Sequence, residues 1–134
     1  VKICFLSLLL LIGEASRSFG GQVPFETSNK RHYTDLTARQ EINRLYRKVK
    51  AVYAFDRLAQ TYSQDYGSYG AGGKPGWQKS DQFVPAFYEV IGQLSKTHVS
   101  KPFKTEFGYH IVQLLDMAKG EVLTRHILLR VPHH

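Results

Sequence analysis

Hydrophobic and polar positions alternate in several distinct ways along this chain, and each pattern predicts an element. Val1 to Ile12 is the most apolar run, and it is too short to span a bilayer. It suits a buried strand closed by Gly13, or the core of a signal peptide with Ser18 and Gly20 near its cleavage site. From Gly13 to Leu36 no periodicity holds, and Gly20-Gly21, Pro24 and Ser28-Asn29 mark a long loop over 13–36 that carries Lys30, Arg31 and His32. Ile42, Leu45, Tyr46 and Val49 then recur at helical spacing, behind a Thr37-Ala38-Arg39-Gln40 capping box. Phe55, Leu58, Ala59 and Tyr62 repeat the stripe in a second helix, which Ser63, Asp65 and Gly67 bring to an end. Val84, Phe87, Ile91 and Leu94 form a third stripe, and Phe83 and Phe87 share a face at its start.

Strand patterns follow. Ser100 to Thr105 and Tyr109 to Leu115 form a hairpin about Glu106-Phe107-Gly108. The second arm is apolar on both faces, which predicts a central strand. His110 interrupts it, and a polar ring in such surroundings needs a hydrogen-bond partner. Val122 to Leu129 matches Val1 to Leu8 in hydrophobic pattern, with Val122 over Val1, His126 over Phe5, Ile127 over Leu6 and Leu129 over Leu8. That match favours the strand reading of the first residues. It also suggests a tandem protein: one domain over 1–117, then 118–134 as a linker and the truncated first strand of a second repeat. One-sided helices need a shared surface to cover, and a sheet supplies it, so the fold class is α+β.

Composition narrows the chemistry. The 134 residues suit one domain with a real core, and 43% hydrophobic with 22% charged residues is ordinary for a soluble globular protein. A formal net charge of +7 is spread along the chain, and a solvated helix face accounts for its mild concentration between Arg39 and Arg57. The single cysteine, Cys4, excludes an intrachain disulfide and a cysteine-based metal site. The six histidines show no helical i, i+4 pair, so no metal is expected. No phosphate-binding loop, Gly-x-Ser-x-Gly motif or Ser/His/Asp set stands out. The chain lacks an initiator methionine and is expected to be a fragment or a processed form.

The order Tyr62-Ser63-Gln64-Asp65, Gly72-Gly73, Gly76-Trp77, Phe83-Val84-Pro85-Ala86-Phe87 and Phe107-Gly108-Tyr109-His110 resembles a parvulin-type (PpiC, rotamase) peptidyl-prolyl isomerase domain of SurA- and PrsA-like envelope foldases. The resemblance implies an FKBP-like four-stranded antiparallel sheet surrounded by helices, in the order βαααβαββ. It implies Asp65 and His110 as catalytic residues, and Phe83, Phe87, Trp77 and Phe107 as substrate-binding residues, with no cofactor. It also implies proline-containing unfolded or extended polypeptides as partners, no nucleic acid, and a periplasmic or envelope location within a larger tandem foldase. In this family the central histidine pairs with a histidine of the first strand. The alignment above puts Phe5 there, leaving His110 to seek Asp65 or a backbone carbonyl. Lys74-Pro75 stands where an acidic-Leu pair is usual. Two functions therefore remain open: a prolyl isomerase, or a weakly catalytic or inactive peptide-binding chaperone domain of the same fold.

Overall fold

The computed structural model describes residues 28–51 and 54–132. A 3₁₀ turn at Ser28–Lys30 leads into α1 (Asp35–Ala51), α2 (Phe55–Tyr62), β1 (Trp77–Lys79), α3 (Pro85–Gly92), β2 (Phe103–Thr105), β3 (Gly108–Ala118) and β4 (Glu121–Arg130). The four strands form one antiparallel sheet in the order β1-β4-β3-β2. The α+β class and four-stranded sheet expected from the sequence are therefore present. Residues 1–12, expected as the first strand, lie outside the described residues, as does most of the long loop.

The helices form where their stripes are, with one shift at an end. Thr34, not Thr37, caps α1: the Thr34 hydroxyl accepts from the Thr37 amide (3.1 Å), and the Thr37 hydroxyl accepts from the Thr34 amide (2.9 Å). This is a reciprocal cap with threonine in the third helical position, a place that glutamate or glutamine more often takes. Ala38, Ile42 and Leu45 of α1 and Phe55, Leu58 and Ala59 of α2 are buried against Tyr109, Ile111, Ile127 and Leu129 on one sheet face. Phe87 and Ile91 of α3 are buried against Val112, Leu114 and Val122 on the other. Side chains alternate along a strand, so from Tyr109 to Leu114 the odd positions of β3 serve the first core and the even positions the second. Pro85 opens α3, where its missing amide hydrogen costs nothing.

The sheet continues past residue 117: Glu121–Arg130 runs antiparallel to β3 from Gly108↔Arg130 to Ala118↔Glu121, with a shift between Leu114 and Asp116. Lys119 and Gly120 join the two strands with positive φ (54° and 77°), the backbone that a two-residue hairpin loop requires. The opposite edge of β4 is satisfied as well: the His126 amide donates to the Gly73 carbonyl (3.0 Å), the Gln64 amide to the Leu128 carbonyl (2.7 Å), and the Leu128 amide to the Ser63 hydroxyl (3.2 Å). Glycine is required where this strand is approached. At Gly73 (φ 84°) a Cβ would lie 2.3 Å from the His126 carbonyl oxygen, and at Gly108 (φ 143°) one would lie 2.1 Å from that of Leu129.

Candidate active site

Period-two alternation sends His110 of β3 and Thr124, His126 and Leu128 of β4 to the α3 side of the sheet. His110 pairs with Leu128 and His126 with Val112, so the two histidines are diagonal neighbours. Their rings lie 5.9 Å apart and nearly parallel, 14° between planes. Phe87 lies nearly perpendicular to both imidazoles at 5.4 Å, and Phe103 stacks on His110 at 5.2 Å. Phe83, just ahead of α3, stacks on Phe87 at 5.2 Å and 6°. Above these rings is a hollow of about 300 Å³.

Its lining includes Asp65, Phe83, Phe87, Phe107 and His110, five of the six residues singled out in the sequence. Trp77 is the exception. It pairs with Leu123 on β1, while the next residue, Gln78, pairs with Val122 and so shares the face of α3. Gln78 lines the hollow and Trp77 does not. Pro75, Gln82, Val84, Thr124, His126, Leu128 and Arg130 complete the lining. Of these, His126 had a signal in the sequence, its place over Phe5 in the match of Val122–Leu129 to Val1–Leu8.

A second imidazole, that of His126 on β4, lies beside His110, while Phe5, to which the alignment gave the partner's place, lies outside the described residues. His110 does not turn to Asp65 or a backbone carbonyl. Its Nε2 is 2.6 Å from the Thr105 hydroxyl, which also accepts from the Phe107 amide (3.2 Å). Asp65 belongs to His126, with Nε2 to Oδ2 at 2.7 Å, and it also accepts from the Ser68 hydroxyl. The Asp65 carboxyl is held well below the usual carboxylate range, mainly by the His126 hydrogen bond and then by Ser68, against the opposing effect of burial. An ionised carboxylate only accepts, so His126 must carry its hydrogen on Nε2. Burial, with a smaller contribution from the neighbouring His126, lowers His110 to about 3, so it is neutral at physiological pH. Among the described residues, the buried Nδ1 atoms of both rings find no hydrogen-bond partner.

Chemically, the site joins an aromatic wall to a polar floor of one carboxylate and two imidazoles. Among the described residues, no group of three or more His, Cys, Asp or Glu is placed to hold a metal ion. The chain belongs to the rotamase family, matching its PPIC-type PPIASE domain over residues 23–116. It is similar to proteins described as chaperone SurA. One from Alkalilimnicola ehrlichii is 38% identical over 89 residues, 66% of this chain and 21% of that protein. One from Vibrio vulnificus is 43% identical over 84 residues, 62% of this chain and 20% of the relative. One from Burkholderia thailandensis is 39% identical over 88 residues, 66% and 19%. The matched stretch is thus about a fifth of each relative's length.

Proposed function

We propose that this domain catalyses cis-trans isomerisation of Xaa-Pro bonds in extended polypeptides. The observation that carries the reading is the juxtaposition of the Phe83–Phe87 stack with the Asp65–His126–His110 floor around one hollow. A prolyl ring would seat against the aromatic faces, and the carbonyl preceding proline would lie toward the floor. No covalent bond breaks in the reaction. The barrier of about 18–20 kcal/mol is the loss of amide resonance on twisting. The planar amide has more charge separation than the twisted one, so replacing water by an apolar wall raises the ground state relative to the twisted state. Each ~1.4 kcal/mol gained in this way speeds rotation tenfold. Asp65 and Thr105 would hold the two imidazoles in place, so that the floor is fixed before the substrate arrives.

His126 beside His110 gives the floor of the hollow a pair of imidazoles, which supports the catalytic reading. Lys74-Pro75 remains unusual, but Pro75 contributes to the wall of the hollow. The domain would act within a longer foldase of the cell envelope on unfolded, proline-containing clients. The large unmatched part of its relatives and their description as chaperones support this placement. Two-dimensional NMR exchange on a short Xaa-Pro peptide tests the activity. Substoichiometric protein should produce cis-trans exchange cross-peaks well above those of the peptide alone. Unchanged cross-peaks, together with retained suppression of client aggregation, would replace catalysis by simple binding.

A further inference from the structure

The hollow follows β4, whose residues Thr124, His126, Leu128 and Arg130 line it in turn. At about 3.3 Å per residue, Thr124 and Arg130 lie roughly 20 Å apart along the strand, with the imidazole floor between them. The Thr124 end differs in kind from the aromatic middle. The β1–β4 register sets Gln78 opposite Val122, a diagonal step from Thr124, and Gln82 is tied to the neighbouring Lys79 amide. Thr124, Gln78 and Gln82 all line the hollow, and none carries a charge. Thr124 is only 1% exposed, and its hydroxyl has no hydrogen-bond partner among the described residues. Buried hydroxyls are nearly always paired, so one left open on the wall of a hollow marks a place for a ligand group. The half-buried Gln78 amide likewise makes no hydrogen bond among the described residues. The Gln82 amide is half used. Its Oε1 accepts from the Lys79 amide (2.7 Å), which fixes the orientation of the side chain and leaves the Nε2 hydrogens for another acceptor.

We infer that the Thr124–Gln78–Gln82 end of the hollow is a subsite for an uncharged amide, supplied by the peptide group that follows the bound proline. The inference rests on the prolyl reading of the hollow. A prolyl nitrogen has no hydrogen, and the bond that rotates is directed to the imidazole floor. The first main-chain group able both to donate and to accept is therefore the next one, made of the proline carbonyl and the N–H of the following residue. Gln82 Nε2 donates to that carbonyl, and the Thr124 and Gln78 oxygens accept from that N–H. Holding this group keeps one side of the Xaa-Pro bond still while the other side turns. A glutamine or asparagine side chain carries the same amide chemistry.

The test uses the full chain, labelled with ¹⁵N, and three peptides. The first has leucine after its proline. The second is its ester analogue, with oxygen replacing the nitrogen after proline, and the third is the same ester with glutamine in place of leucine. The amide peptide should bind about fivefold tighter than the leucine ester, the effect of roughly one uncharged hydrogen bond. That advantage should shrink in Thr124→Val, which keeps the shape of the side chain. It should shrink equally in Gln82→Glu, which still accepts from the Lys79 amide but has no hydrogen to donate. Thr124→Val should also keep the wild-type urea midpoint, because the hydroxyl it removes is unpaired in the free protein. A glutamine ester that regains the lost affinity shows a side-chain amide filling the same subsite. Equal binding of all three peptides overturns the inference, as does an amide advantage that survives both variants. Failure of the prolyl reading is distinguishable, because then no peptide would shift resonances at Phe83, Phe87 and His126.

Discussion

His110 and His126 sit in similar strands, a diagonal step apart, yet their surroundings give them different roles. His126 has an ionised carboxylate as its acceptor, whereas His110 is almost completely enclosed and has only a hydroxyl. This has a signed consequence for stability. In the unfolded chain His110 binds a proton near its ordinary value of about 6.5, but in the fold it resists protonation down to about 3. Native stability is therefore present above about pH 6.5 and is lost as pH falls through this window, at no more than about 1.4 kcal/mol per pH unit from this group. Asp65 contributes in a lower window: its depressed folded value gives stability above about pH 4 that is lost as pH falls further. Urea midpoints from pH 7 to 4.5 should fall more steeply for the wild type than for His110→Asn, and parallel curves would contradict the burial argument. Phe83, partly exposed beside the buried Phe87, should tolerate replacement. Phe83→Ala is expected to lower affinity for a prolyl peptide about tenfold, with stability reduced by no more than about 2 kcal/mol. Calorimetric titration and urea melts measure the two. That Asp65, Phe83, Phe87, Phe107 and His110 gather around one hollow was legible because ordered motifs carry them. Trp77 stands outside that lining because a three-residue strand gives too little alternation to decide which of two neighbours faces the hollow.

At the scale of elements, the stripes of α1, α2 and α3 and the β2–β3 hairpin were legible from periodicity alone. The position of β4 was not. Alternation says that Val122 to Leu129 is a strand, but not which sheet edge it fills, and its likeness to Val1–Leu8 pointed to a separate repeat. Its place is decided by contacts distant in sequence: the Gly73 carbonyl, the Ser63 hydroxyl and the Gln64 side chain, all between α2 and β1. These groups, with β3 on the other side, hold β4 at both edges. A chain ending at Ala118 should therefore lose its far-ultraviolet signature of folded sheet and its His126. A synthetic peptide of residues 121–130 added in trans should restore part of it, and a stably folded truncated chain would contradict the central role given to β4. Gly73→Ala probes the same contact from the other side, combining a clash at 2.3 Å with a positive φ, and should cost more than about 2 kcal/mol in a urea melt.

For the whole molecule, one sheet separates two cores, and every strand contributes to keeping it together. β3 and β4 present side chains to both, with Ile111 and Ile127 on one face and Val112 and Leu114 on the other. Neither core can persist once the β3–β4 ladder is lost, so unfolding should be one cooperative transition. Circular dichroism and Trp77 fluorescence, which reports the β1–β4 pairing, should give coincident urea curves; separated curves would indicate two independently stable layers. The net charge of +7 was visible in composition, but its scatter along the sequence hid the convergence of Lys30, Arg31 and Arg130 on one cavity. Gln64 is the residue that gathers them, through bonds spanning more than thirty positions in either direction. The function rests on the hollow between α3 and the β3–β4 pair receiving a prolyl ring. Intermolecular nuclear Overhauser contacts on a bound Xaa-Pro peptide read this directly. The account predicts contacts from the proline ring protons to the Phe83 and Phe87 rings, and their disappearance when proline is replaced by alanine. Proline contacts confined to another surface, with Phe83 and Phe87 silent, would contradict it.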